Sequence, residues 1–350
     1  MAGRVIIKGS GEGSYQHRLL KIDESILRIP NLCIHLKTPE EREAFKINKE
    51  ENLVPILCEE VEKGLSGDSG NDGSTTDSST WRSEQSSELI ELITEKLELK
   101  SSEDIVDFEL SLYDTQKSST SGIRNEFLCS SRIDNLASCF VALEVIESYS
   151  IDDYKDDIGI SMIALFDHEE VGSESNAGAG STLMRDAVQR ISNALDSSAD
   201  EDSEVFKAAL AKSMILSVDM AHAVHPNYAS KHEKAHSPMM NRGVVIKTNN
   251  NQRYASNGLT SFLIREISRR CEGYAPVQEF VVRNDCPCGS TIGPVISANT
   301  GIRAVDLGMP MLSMHSIREM SGSSDLTHAF KLFTQFYKNF FELDKQIDIK

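Results

Sequence analysis

Several apolar runs of this chain end in side chains that bind metals or move protons. IALF, ending at Phe166, leads into Asp167-His168-Glu169-Glu170. MILSV, ending at Val218, leads into Asp219, with His222 and His225 shortly after. RAVDLGMPMLSM leads into His315, and Ser131-Arg132-Ile133-Asp134 precedes an apolar stretch of helical spacing. Ligand sites of open α/β sheets gather at the carboxyl ends of strands, so segments distant in sequence can deliver these groups to one cleft.

The chemistry suited to such a set is metal-assisted hydrolysis. Carboxylate and imidazole ligands suit zinc and other divalent first-row ions, manganese and cobalt among them. Two ions roughly 3.5–4 Å apart polarise a carbonyl and lower the pKa of a shared water. A second carboxylate must then take the proton. Adjacent Glu169 and Glu170 suit that division, one as ligand and one as base.

Each residue also has a plainer reading. An acidic pair after a strand is often a solvated turn, because Asp and Glu are mostly exposed. Asp134 and Asp219 are both suited to capping helices. His315 alone fits a hydrogen-bonded histidine, and His222 and His225 fit neighbours on one helix face. His232 and His236 lie in a polar stretch and are expected to face solvent. Cys286 and Cys288 are too close for a zinc knuckle and fit a turn or core.

The elements that must position these groups fall into two textures. Residues 3–8 read as a strand, the glycines of 9–13 as a turn, and 18–37 as further short strands broken by Pro30. Residues 88–99 have helical spacing and 104–115 read as a strand. Between them, 64–86 is rich in Ser, Gly and Asp and contains Trp81, the one tryptophan, so a mobile surface loop is expected. Gly122 marks the expected boundary. Beyond it, apolar runs at 158–166, 212–218, 243–247, 280–284 and 301–308 alternate with amphipathic stretches at 138–149, 179–195, 261–270 and 325–343. This alternation predicts an α/β fold, a largely parallel sheet flanked by helices.

Composition narrows the function classes. Thirty-six basic against 54 acidic residues in 350 give a net charge of −18. That balance argues against nucleic acid and anionic membranes as partners. No apolar run approaches a membrane span. Seven irregularly spaced cysteines argue against a disulfide framework, so a cytoplasmic protein with reduced thiols is expected.

Five blocks in order carry a resemblance: SRIDNLASCF, LFDHEEVGSES, SVDMAHAVHPNY, RNDCPCGSTIGP and MHSIREM. Together with LRIPNLCIHL, LVPIL and GVVIKTNNNQRYASN they resemble the M18 family of dinuclear zinc metallopeptidases, the aspartyl aminopeptidases. The similarity runs from near residue 1 to about residue 340.

The resemblance implies that residues 1–122 form an inserted β-rich dimerisation domain and 123–350 the catalytic domain. It implies two zinc ions, with Asp134 bridging them, Glu170 and His315 on one and Asp219 on the other. Glu169 becomes the general base. His222, His225 and Lys247 would line the substrate pocket, with Lys247 pairing an acidic side chain. His35 would enter a neighbouring subunit's site in a homo-oligomer, a dodecamer in this family. The implied activity is removal of N-terminal Asp or Glu from peptides.

The family pattern also has a His-x-Asp motif upstream of the stretch matching residues 1–10. This sequence has no such motif, so the catalytic domain reads as lacking its N-terminal portion. One ion is then expected to bind weakly, and the chain to fold poorly and be weakly active. A non-catalytic subunit modulating longer family members is the alternative reading. A dinuclear deacylase fits the ligand set but not the blocks around His222 and Lys247.

Overall fold

The computed structural model describes residues 1–44, 46–58, 81–150, 152, 155, 158–195 and 204–347. The chain divides into two compact units, residues 1–115 and 116–350. The expected boundary at Gly122 falls later than this division. The reason is strand β4 (Ser119–Ser121), which pairs with β5 (Phe127–Ser130) and so belongs to the second unit.

The first unit is a three-stranded antiparallel sheet, β2 (Tyr15–Lys21), β1 (Ala2–Lys8) and β3 (Ile105–Ser111), in that order. The glycine-rich turn closes the β1–β2 hairpin, with Gly9 N donating to Ser14 O. Helix α2 (Ser87–Lys96) follows a five-residue helix α1 (Pro39–Glu43) in chain order. Ser86 caps α2 by accepting from Leu89 N. Val5, Leu20, Ile22, Ile90, Ile93 and Ile105 form the buried core.

Two expectations for this unit change. Of the 18–37 stretch only 18–21, the end of β2, joins the sheet; Ile34–Leu36 is a 3-10 turn, and Arg28 bridges Ile56 instead. Pro30 and the exposed side chains around it leave no ladder to extend. Of the expected 64–86 loop, 64–80 lies outside the described residues. Trp81 itself starts a 3-10 turn and packs edge-on against Phe108, ring centres 5.1 Å apart.

The second unit holds two sheets. A four-stranded sheet runs β6 (Met214–Val218), β10 (Arg303–Gly308), β8 (Val244–Thr248), β9 (Val277–Val281). The outer pairings β6/β10 and β8/β9 are parallel, and β10/β8 is antiparallel. A five-stranded sheet runs β4, β5, β12 (Glu319–Gly322), β11 (Pro310–Leu312), β7 (Ala221–His222). Val244, Val245 and Ile246 are fully buried, which is why β8 reads as an apolar run rather than an alternation.

Helices α3 (Ile133–Glu147), α4 (Leu183–Leu195), α5 (Glu204–Lys212), α6 (Gly258–Arg270), α7 (Ile292–Thr300) and α8 (Ser323–Asp344) complete this mixed α/β unit. Helices α3 and α6 both pack on α8. Their shared core contains Val141, Val145, Ile264, Ile267, Leu332, Phe333 and Phe336. Helix α6 starts where the sequence says it can: Asn257 accepts from Leu259 N and Thr260 N in a capping box.

The expected strand at 158–166 belongs to no sheet of the described residues. It lies along α8 instead, with Gly159 against the Phe341 ring and Met162 O accepting from Tyr337 Oη at 3.3 Å. Its apolar side chains are only partly covered, and Ile158 and Ile160 remain exposed.

Candidate metal centre

Four irregular segments of the second unit meet at the ends of β6 and β8. Asp134 stands at the start of α3, in extended backbone before the regular helix begins. Glu169 and Glu170 open a single 3-10 turn, Glu169–Val171. Asp219 follows β6, its N–H donating to Leu307 O at 3.0 Å. Gly308 permits this close approach, because a Cβ there would lie 1.7 Å from Asp219 O. His315 occupies the turn between β11 and β12, with φ of 64°.

These residues line a cavity of about 570 Å³ together with Lys247, His222, Tyr254 and Phe280. His315 Nε2 lies 3.2 Å from Asp134 Oδ2 and 3.3 Å from Glu170 Oε1. Ligands bonded to a tetrahedral zinc at about 2.0–2.2 Å are about 3.3–3.6 Å from one another, so this spacing fits one common ion. Asp134, Glu170 and His315 offer three ligand atoms within 4.8 Å of each other. Two carboxylates and one imidazole are also a donor set that zinc accepts. The residues present therefore fit a divalent metal.

The sequence matches the family described as aminopeptidase I zinc metalloprotease (M18) over residues 1–337. The chain belongs to the M18 family. Its relatives include a probable aspartyl aminopeptidase of Ricinus communis, 45% identical over 365 residues, covering 100% of this chain and 73% of the relative. Aspartyl aminopeptidase 4 of Saccharomyces cerevisiae is 40% identical, covering 99% and 71%. Among solved structures, a cryo-EM structure of the Ape4 and Nbr1 complex matches with a TM-score of 0.88 and 39% identity. That match covers 100% of this chain and 64% of the other. A dodecamer of yeast mApe1 matches with a TM-score of 0.77 and 26% identity, covering 99% and 70%. The M18 chain described here is a metal-dependent aminopeptidase.

Electrostatics give this cavity a strong demand for a cation. Asp134, Glu169, Glu170 and Asp219 share the cavity, and Lys247 is the one lysine or arginine lining it among the described residues. Burial, then the charge of Asp219 and a hydrogen bond with it, push the Asp134 carboxyl up to about 8. Burial likewise raises Glu169, helped by the charges of Asp219 and Glu170. Burial works against charge on Asp219 too. There, however, the Lys247 ammonium and the hydrogen bonds from Lys247 and Asp134 outweigh it and hold the carboxyl below its ordinary value. The two shifts run in opposite directions, favouring a proton on Asp134 and charge on Asp219.

The other expected site residues are placed less uniformly. His222 lines the cavity, its ring 5.6 Å from that of Phe280. His225 is not among the cavity-lining residues; its Nδ1 accepts from Asn227 N and its ring faces Tyr228. Lys247 is 3% exposed, and Asp219 Oδ2 takes up its ammonium at 2.8 Å. His35 belongs to the first unit, on the exposed turn Ile34–Leu36.

Three residues that line or brace the cavity are not evident from the sequence alone. Tyr254 lines the cavity, its ring centre 5.6 Å from Lys247 Nζ, inside the GVVIKTNNNQRYASN block. Asp306, fully buried, accepts from Thr291 Oγ1 at 2.6 Å and from Ala255 N, steadying two cavity-lining stretches. Glu319 accepts from the backbone of both Asp134 and His315. A carboxylate buried in an apolar run is the signal Asp306 left in RAVDLG, and Glu319 left none beyond its place in MHSIREM.

Proposed function

We propose that this chain removes N-terminal aspartate or glutamate from peptides. The observation that carries the reading is the sharing of one cavity by a carboxylate base, three metal-type ligands and a buried ammonium. Asp134, Glu170 and His315 would hold one ion, and Asp134 with Asp219 a second, zinc being the family's metal and manganese or cobalt compatible with the donors. A bound divalent ion supplies Lewis acidity to the scissile carbonyl and acidifies water beside it.

The chain's own groups do the rest. Glu169 is the base: it lines the cavity beside the ligands, and burial raises its affinity for a proton, which suits it to take one from the attacking water and pass it to the leaving amine. Lys247 supplies the positive charge that an acidic first side chain requires. His222 and Tyr254 wall the cavity beside it. The enzyme reading stands ahead of a non-catalytic subunit because the base and ligands converge on one cavity.

Assembly as a homo-oligomer, a dodecamer, belongs to the same proposal. Large apolar side chains exposed on the first unit, Leu19, Ile34, Leu36 and Val54, suit burial against partners, with His35 serving a neighbouring copy's site. Seven free cysteines suit a cytoplasmic setting. No helix of the described residues is long and apolar enough to cross a membrane.

The test is a set of peptides differing only in the first residue, incubated with the zinc-loaded protein and read by mass spectrometry. Loss of Asp and Glu at rates at least tenfold above Ala or Lys is expected. Equal loss of all first residues, or cleavage inside the peptide, would overturn the specificity.

A further inference from the structure

We propose that Glu319 is a positioning residue that sets the spacing of the metal ligands Asp134 and His315. The inference rests on the metal-site reading above and deepens it. Glu319 opens β12, where it sits opposite Ser130 of β5, and it is 2% exposed. Its two oxygens divide their work. Oε2 accepts from Asp134 N at 2.9 Å, and Oε1 accepts from His315 N at 2.7 Å. One rigid carboxylate thereby ties together the backbones of two ligands 181 residues apart, 315 less 134.

The tie meets irregular backbone on both sides. Asp134 and Asn135 have non-helical dihedrals within the first turn of α3, after Arg132 at φ 58°. Ser313 and His315 both have positive φ in a turn built of ordinary L-residues. Left-handed backbone is unfavourable for such residues and persists only where surrounding contacts enforce it. The enforced result is the 3.2 Å approach of His315 Nε2 to Asp134 Oδ2. Charge-assisted hydrogen bonds from backbone N–H to a buried carboxylate are among the stronger kind. The tie acts on where the ligands stand, not on the reacting atoms.

Glutamine tests the idea because its amide has one acceptor oxygen and one donor nitrogen. In Glu319→Gln, one of the two N–H groups must face an NH2 and lose its partner. Asp325 provides the comparison. It is also fully buried and also clamps two backbone N–H groups, of Asn241 and Gly243, but neither is a ligand.

The experiment is metal binding by the intact chain. Zinc affinity is measured by competition with a chromophoric chelator, and cobalt(II) is added separately to read its visible absorption. Glu319→Gln is expected to weaken zinc binding by about 10–100-fold and to alter the cobalt spectrum. Asp325→Asn is expected to lower the melting temperature while leaving zinc affinity and the cobalt spectrum unchanged. If Glu319→Gln does not fold, Glu319→Asp carries the test. It keeps both acceptors on a shorter arm, and a loss of affinity of threefold or more is expected. Wild-type affinity and spectrum in the folded variant would overturn the role of Glu319 alone. A wild-type chain that binds neither metal would overturn the metal-site reading, and this inference with it.

Discussion

Lys247 Nζ lies 2.8 Å from Asp219 Oδ2, with the lysine almost wholly buried in β8. The pair joins a group expected to bind metal to a group expected to bind substrate. Removing the ammonium leaves the Asp219 carboxylate without its counter-cation in a low-dielectric site. Lys247→Met should therefore raise the Asp219 pKa and lower the preference for acidic first residues. Comparison of kcat/KM on Asp-first and Ala-first peptides checks this. The ratio should fall by about tenfold or more, as loss of a buried charge-assisted contact implies. An unchanged ratio would place substrate recognition elsewhere.

The raised Asp134 carboxyl makes metal binding a proton exchange. Below about pH 8 the metal-free site holds a proton there, and an ion must expel it. Zinc affinity should climb as pH rises toward about 8 and level off above it. Titration calorimetry at pH 7 in two buffers of different ionisation enthalpy should find about one proton released per ion.

The same shift has a stability consequence of definite sign. Folded Asp134 binds its proton more tightly than the unfolded chain, whose carboxyl has an ordinary value of 3.8. Metal-free stability from this group is full below pH 3.8 and is lost as pH rises toward about 8. Denaturant midpoints without zinc should thus drop across that window, and zinc should restore them most at its upper end.

Glu169→Gln separates the base from the ligands. The amide cannot accept the water's proton, but Asp134, Glu170 and His315 are untouched. Turnover should fall by roughly 10²–10⁴-fold with zinc affinity unchanged. Retained turnover would remove Glu169 from the base role.

The shared core beneath the site is equally open to test. Ile264 is fully buried in α6 within the cluster that holds α8. Ile264→Ala should cost about 2–5 kcal/mol in urea unfolding. A smaller loss would show that the helix layer collapses around the missing methyl groups.

What the sequence disclosed of this site follows from where its chemistry is written. Asp134, Glu170 and His315 are ligand types at the ends of apolar runs, and they do converge. Glu319 and Asp306 act through backbone and hydroxyl donors supplied by distant segments, which spacing along the chain does not reveal. The ion pair of Lys247 with Asp219 likewise depends on two strand ends meeting across a sheet.

The fold shows the same division. Self-contained signals located several elements closely: the amphipathic spacing of 261–270 within α6, the glycine turn of 9–13 between β1 and β2, and the apolar run 243–247 at β8. The stretch 158–166 has the apolar character of a strand, but strand formation also requires a neighbouring edge, and character alone cannot supply one. Trp81 sits beside a Ser-rich segment yet folds onto Phe108, because aromatic burial outweighs the polarity of its neighbours.

The most direct measurement is anomalous X-ray scattering at the zinc absorption edge from zinc-soaked crystals of the chain. A peak is expected about 2.0–2.2 Å from oxygens of Asp134 and Glu170 and from His315 Nε2. Zinc bound elsewhere, or no peak among these three residues, would contradict the metal centre on which the account depends.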